Sequence, residues 1–496
     1  MIFPTFEFLT FFAFILIFNW FLKRWPLTWR LFLLFSSYFF YSVWDIRFLL
    51  ILAAVSFFNF FSAQAIYKSI FRKKILLSLA VIFNLSVLIV FKYYDFFRLS
   101  TELFFEKIGL PFHPPLLQII LPLGLSFYIF RVISYNADVY LKKIKPSLSV
   151  LDFFVYVAFF PQLFSGPIMR AGDFLVQLKN GGAKRINDFY EYLTLFLVGL
   201  FKKLLISSYL VLSITNDVFA VPENHSSLMI ILAVLAYSLV IYFDFSGYSD
   251  MAIGLAGLMG FRSPLNFDTP YLSLSLRDFW RRWHITLSSW IRDYVYIPLG
   301  GNRKGNIRKY LNLLIAMVLI GLWHGAAIHF IIWGGIHGIG LTINHYYQAH
   351  KDKKKTIFSN FYPVNQEALL LRARIKGVYK PFKRNVFKNF LCWLTTFSFV
   401  SFSWIFFRSE STENALNLIR SIFNSEKSIE PLKIYIILII IIGFLFFLFE
   451  EKIVQALVNF QYKLPLIFWF MFIVLSTILL FKLSPDIIPP FIYFSF

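Results

Sequence analysis

Apolar windows long enough to cross a bilayer recur along nearly the whole of this 496-residue chain. They fall at roughly 5–22, 27–43, 46–67, 75–95, 116–136, 188–214, 227–257, 311–328, 329–347, 388–407, 432–449 and 465–483, near the ~20 residues a helix needs to span hydrocarbon. A backbone in lipid has no water to bond to, so these windows must be helices. A β-barrel would show ~10-residue segments of strict alternation instead, and the sequence has none. The predicted fold class is all-α: a polytopic transmembrane helix bundle of about 11–13 membrane helices with re-entrant and interfacial helices added. The composition agrees, at 58% hydrophobic and 15% charged residues, outside the soluble globular range. The opening stretch MIFPTFEFLTFFAFILIFNWFLKRW reads as a first membrane helix rather than a removed signal, because no basic residue precedes its apolar run.

The stretch 150–168 is apolar but interrupted by Pro161, Gly166 and Pro167. It is expected to be a re-entrant or interfacial helix that does not cross, since broken backbone at membrane depth survives only inside protein or beside a wet cavity. The formal net charge of +22 would suggest nucleic acid for a soluble chain. Its distribution gives another cause. The basic clusters Lys23/Arg24/Arg30, Lys68/Arg72/Lys73/Lys74, Lys142/Lys143/Lys145, Lys179/Lys184/Arg185, Arg262 to Lys309 and Lys351 to Arg384 all fall on one side if 150–168 does not cross. By the positive-inside rule that side is cytoplasmic, and no nucleic-acid partner is needed. Lys202 and Lys203 fit this layout less well; they interrupt the 188–214 window and are expected to shorten or kink that helix. The chain then divides into N-terminal membrane helices (1–115), a core (116–347), a basic cytoplasmic loop (348–387) with an amphipathic piece near 366–380, and a second set of membrane helices (388–496). Its setting is expected to be the inner, cytoplasmic membrane, and membrane lipid its immediate partner.

The chemistry-bearing residues lie in two stretches. In 241–305, Asp244 and Asp250 sit in or at the end of an apolar window, where a carboxylate has to face a cavity or a partner. SLRDFWRRWHITLSSWIRDYVYIPLGG follows, interleaving Trp, Tyr and Arg as helices in the headgroup interface do, with His284 inside it. A solvated interfacial histidine is one reading of His284. The second stretch is GLWHGAAIHFIIWGGIHG, wholly apolar apart from His324, His329 and His337. His324 is expected near mid-membrane, with Gly325 leaving room for a backbone or ligand. Burial should keep its imidazole neutral and able to act as a base. Helical offsets of five and thirteen turn His329 and His337 away from it, so they read as core histidines bonded across helices. There is no HExxH pair, no P-loop and no G-x-S-x-G elbow. The single cysteine, Cys392, excludes a disulfide framework and a cysteine metal cluster, so no metal is expected.

RDFWRRWHITLSSWIRDYVYIPLGGNRKG with GLWHGAAIHFIIWGGIHG resembles the membrane-bound O-acyltransferase family, in particular its bacterial branch that acylates alginate and teichoic acids. FFPQLFSGPIMR, YFDFSGYSDMAIGLAGLMGF and PPFIYFSF are similar to that branch too, and 348–430 is the least typical part. The resemblance implies a ring of transmembrane helices around a thin central tunnel. It implies that His324, in the WHG motif, is catalytic and that His284, in RWH, supports catalysis. Trp283, Arg281, Arg282, Asp244 and Trp323 are the candidates to line the tunnel. It implies an acyl donor in thioester form, acetyl-CoA or an acyl carrier protein, with no tightly bound cofactor. His324 would take the acceptor hydroxyl's proton, an effect typically worth about 10²–10⁴ in rate. The oxyanion would be met by His284, Arg281 or Arg282.

Two functions from different classes follow. One is transfer of an acyl group, with acetyl ahead of D-alanyl, to an extracytoplasmic polysaccharide, through a partner of the SGNH esterase-like type. The other is a proton-coupled transporter or flippase, in which midplane histidines and aspartates serve as relays. The sequence shows no inverted repeat to support the latter.

Overall fold

The computed structural model describes residues 2–110, 112–117, 119–183, 188–351, 386–424 and 434–494. Most of the basic 348–387 loop, with its 366–380 piece and most of the Lys351 to Arg384 cluster, lies outside the described residues. Those described form helices and connections, without strands. Seven helices are long and apolar enough to cross a membrane, and Phe6–Leu22 and Leu466–Lys482 are shorter apolar ones. The chain is a multi-pass, all-α membrane protein. It divides into two compact units, 1–187 with 256–261, and 188–255 with 262–496.

In the first unit the expected windows become α1 (Phe6–Leu22), α2 (Pro26–Ser42), α3 (Arg47–Lys68) and α4 (Lys73–Lys107), the last with one wide turn at Ile89–Tyr93. The 116–136 window is corrected. Its helix, α5, runs Leu125–Tyr140, and the preceding apolar residues form no helix. Pro114, Pro115 and Pro122 deny amide donors there, and Gly124 opens the helix at φ +73°. The 150–168 segment is broken as predicted. Helix α6 covers only Val150–Ala158, about 14 Å at 1.5 Å per residue, which is half a bilayer. Its freed carbonyls are met by protein: the buried Arg131 guanidinium donates to the carbonyls of Tyr156, Val157 and Gln162. Three buried asparagines tie α3, α4 and α5, with Asn59 bonded to both Asn84 and Asn136 at 2.6–2.9 Å. Helix α7 (Ala171–Lys179) follows in the same unit.

In the second unit α8 (Phe189–Ala220) and α9 (Ser227–Leu258) are the two most buried spans. Helix α8 contains wide turns at Lys202–Ser207 and Val211–Thr215; Lys202 and Lys203 open the first of these, and the helix is not shortened. Both lysines are buried rather than displaced toward water. Two short helices follow, α10 (Leu276–Arg282) and α11 (Ile285–Ile291), then a hairpin of α12 (Gly305–His324) and α13 (Ile328–Lys351). Helices α14 (Val386–Arg408), α15 (Thr412–Asn424), α16 (Ile434–Lys463) and α17 (Leu466–Lys482) complete it. Helix α16 continues well beyond the expected end at 449, which carries Glu450 into the helix interior.

Candidate active site

His324 is the last residue of α12. The expected window ran to 328; the helix stops because Gly325 takes an extended conformation and α13 starts three residues later. The hairpin is drawn tight by glycine. A Cβ at Gly321 would collide with the Phe330 carbonyl, and one at Gly334 with the Met317 carbonyl. Two backbones at this separation leave little freedom for what they carry. The room expected at Gly325 is not open to a ligand, because the Phe330 ring fills it. The offset argument for His329 and His337 also changes, since the break puts them on a different helix from His324. His324 and His337 both touch Trp333, at ring separations of 5.1 and 4.9 Å.

The other partners of these histidines differ. His329 Nδ1–H donates to the Phe406 carbonyl at 2.9 Å. His337 accepts from Trp280 Nε1–H at 3.3 Å and bonds Ser403 Oγ at 2.8 Å through Nε2. Both are core histidines bonded across helices, as expected. His324 is buried among rings: Trp323 at 5.0 Å, Trp333 at 5.1 Å, Phe407 at 4.9 Å and Tyr493 at 5.4 Å.

The reading of His284 as a solvated interfacial residue is overturned: it is fully buried. It sits between α10 and α11 in the left-handed region, at φ +40° and ψ +55°. That conformation costs a non-glycine residue of order 1–3 kcal/mol and persists only where its surroundings fix it. Asn266 does so. Its carbonyl accepts from Ile285 N–H at 2.9 Å, and its side-chain Oδ1 lies 3.0 Å from His284 Nδ1. The same oxygen accepts from the Thr286 backbone N–H at 3.4 Å and the Thr286 hydroxyl at 2.9 Å. An amide N–H can only donate, so this Asn266 atom is the oxygen, and His284 carries its proton on Nδ1. Nε2 then presents a lone pair. It is buried with no hydrogen-bond partner among the described residues. Burial pushes the imidazole down to about 3, so it stays neutral at physiological pH. Asn266 escaped the sequence reading. It is eighteen residues from His284 and belongs to no motif; only the backbone turn brings it there.

The two histidines pack against one aromatic cluster. Trp323 lies 5.8 Å from the His284 ring and 5.0 Å from that of His324. Phe245 packs edge-on to His284 at 4.6 Å and contacts Tyr493 at 4.6 Å. Tyr493 completes the circuit to His324. The stretch PPFIYF therefore supplies part of the wall. It is held there by Asp244, whose Oδ2 accepts from Ile492 N–H at 2.7 Å, and by Lys203, which donates to the Pro490 carbonyl at 3.1 Å.

The remaining candidates separate. Asp244 is ion-paired to Lys203 at 2.6 Å. Asp250 and Glu450 both bind Lys202, at 2.5 and 2.6 Å. Trp283 is core, stacked on Phe279 and packed on Trp404. Arg282 is engaged by Asp278 at 3.1 Å and the Asp268 carbonyl at 3.4 Å. Arg281 is exposed and lines a cavity of about 190 Å³ with Arg277, Arg292, Ile285 and Ile320. That cavity reaches the residue after His284 and the turn before His324.

These features define a multi-pass membrane protein with a buried, histidine-centred site. Residues 30–364 match the profile of MBOAT, the membrane-bound O-acyltransferase family. The chain is 39% identical over 399 residues to "Probable alginate O-acetylase AlgI" of Pseudomonas aeruginosa, covering 80% of this chain and 70% of that one. It is 34% identical over 423 residues to "Peptidoglycan O-acetyltransferase" of Helicobacter pylori, covering 80% and 74%. Similarity to "Teichoic acid D-alanyltransferase" of Bacillus subtilis is lower, 30% over 268 residues, covering 50% and 65%. The chain belongs to the membrane-bound O-acyltransferase family and is an acyltransferase. The transporter reading is thereby set aside.

Proposed function

We propose that this enzyme transfers an acetyl group from a thioester donor to a hydroxyl on the way to an extracytoplasmic polysaccharide. The observation that carries this reading is the shared aromatic cluster: two histidines forty residues apart in sequence, both buried, meet the same Trp323 ring. The more extensive similarity to O-acetyltransferases than to D-alanyl transferases supports acetyl as the group. The site belongs in the inner membrane, with an SGNH-like transferase beyond it to pass the acetyl group to the polymer.

In this mechanism the acceptor hydroxyl reaches the aromatic cluster and His324 takes its proton as the oxygen attacks the thioester carbonyl. The carbon–sulfur bond then breaks, the histidinium returns its proton to the departing thiolate, and ester and free thiol leave. A positioned base of this kind typically contributes about 10²–10⁴ in rate. The Nε2 lone pair of His284, which can only accept, would take a second hydroxyl of the acceptor, because the attacking hydroxyl gives its one proton to His324. In this tautomer the one N–H of His284 is committed to Asn266, which argues against it as the oxyanion donor. Arg282, engaged by Asp278 and Asp268, is also a poor candidate for that task. The donor's anionic groups would rest on Arg277 and Arg281 at the cavity rim, where Arg292 is already paired with Asp293, with the acyl arm directed between Ile285 and Ile320. Arg281→Ala should raise KM for the donor about tenfold with a smaller change in kcat, since a hydrogen bond to a charged group is worth about 1.5–3 kcal/mol. An unchanged KM would remove the rim from the donor path.

The reading as a whole is tested by releasing ester-linked groups from the surface polymer with mild base in cells with and without the gene. Acetate that disappears with the gene supports it. D-alanine disappearing instead would overturn the acetyl assignment.

A further inference from the structure

In the first unit, remote from either histidine in sequence, the turn between α1 and α2 borders a cavity of about 400 Å³. Lys23, Arg24, Arg30 and Lys179 line it together with Trp20 and Trp29. The charge there is unbalanced. Arg30 pairs with Asp152 at 3.2 Å, whereas no ion pair holds Lys23, Arg24 or Lys179 among the described residues. Lys23 is held in place by neutral groups. Its ammonium lies 3.6 Å from the Trp20 ring centroid and donates to the Ala183 carbonyl at 2.8 Å. Gly260 makes the space: a Cβ there would lie 2.5 Å from Nζ. Burial without an acidic partner pulls Lys23 down to about 8. Pro26, the first residue of α2, also lines the cavity, and no side chain caps that helix start. The positive end of the helix dipole therefore adds to the cations.

The flanks say what kind of anion fits. Phe21, Trp25 and Leu27 are exposed beside the turn, and outward residues of α1 and α2 such as Phe14, Ile17, Leu31 and Phe35 are apolar and exposed. The Arg24 guanidinium lies over Phe21 and Trp25, 4.1 Å from each ring. Tryptophans and cations at the end of two lipid-facing helices mark headgroup level, and basic residues near the inner leaflet attract anionic lipid. We infer that the cavity at the α1–α2 turn binds the phosphate of an anionic phospholipid, with Lys23 and Lys179 as its principal ligands and the acyl chains lying along α1 and α2.

The test uses the full chain in detergent, titrated with phosphatidylglycerol, phosphatidylcholine or inorganic phosphate while thermal unfolding is followed. Phosphatidylglycerol should raise the midpoint saturably, and the other two should not. Lys23→Gln/Lys179→Gln should weaken the apparent phosphatidylglycerol affinity at least fivefold. Because Lys23 is partly buried, Arg24→Gln/Lys179→Gln, both exposed, is the companion variant and should weaken it in the same direction. Wild-type affinity in both variants would overturn the proposal. An equal shift from inorganic phosphate alone would overturn the lipid assignment.

Discussion

Glutamine in place of His324 is expected to abolish acyl transfer while the protein still accumulates in the membrane. Glutamine keeps much of the volume inside the ring of Trp323, Trp333, Phe407 and Tyr493, so packing should survive. It cannot take up a proton, so the base is lost, and with it at least about 10²–10⁴ in rate. The measurement is ester-linked acyl groups on the surface polymer alongside immunoblots of membrane fractions. His284→Ala should impair transfer strongly, because it removes the lone pair that Asn266 orients. His329→Ala should be mild, since that imidazole is spent on the Phe406 carbonyl. His337→Ala should lie between, because it strands Trp280 and Ser403. Near-normal acylation by His324→Gln at normal protein levels would make His324 a packing residue and end the mechanism offered above.

The second large effect is on folding. Lys202 is fully buried and bridges Asp250 and Glu450, whose other oxygen accepts from the Tyr242 hydroxyl at 2.8 Å. Lys202→Met should leave two carboxylates buried without a cation, at a cost of about 3–5 kcal/mol. A sharply lowered unfolding midpoint and poor accumulation are expected. The triple change Lys202→Met/Asp250→Leu/Glu450→Leu should recover most of that loss, because an apolar replacement of a buried ion cluster is often neutral. A single variant as stable as the wild type would mean that the carboxylates are not ionised in the folded protein.

This cluster also shows where the sequence was legible and where it was not. Period and length report α1, α2, α3 and α9 almost to the residue, because an unbroken apolar run of bilayer length reads as a helix whether lipid or protein surrounds it. Asp244 and Asp250 were legible as carboxylates in need of a partner, and Lys202 and Lys203 as cations in the wrong place. Nothing in either window says that the two anomalies answer each other; that depends on how α8 and α9 face. Glu450 lay just past an apolar window and gave no sign of being interior. The 116–136 error has a local cause: side chains there are apolar enough for a span, but three prolines and Gly124 govern the backbone. His284 was misplaced for the opposite reason. Trp, Tyr and Arg around it are typical of an interface, yet Arg282 is neutralised by acidic neighbours and Trp283 turns into the core. Asn266 and the Tyr493 wall carried no signal in periodicity or charge, since each works through a contact between distant parts of the chain.

The glycine contacts between α12 and α13 bear on how such a site can change over time. His324 is mounted where two backbones touch, and no rotamer choice or side-chain repacking can shift that mount by much. The rings around it are side chains on several separate elements, and each can be exchanged alone. Reactivity and selectivity are thus carried by different classes of atom. A lineage adopting a new acyl group or acceptor can rewrite the aromatic wall one substitution at a time and leave the proton acceptor where it was.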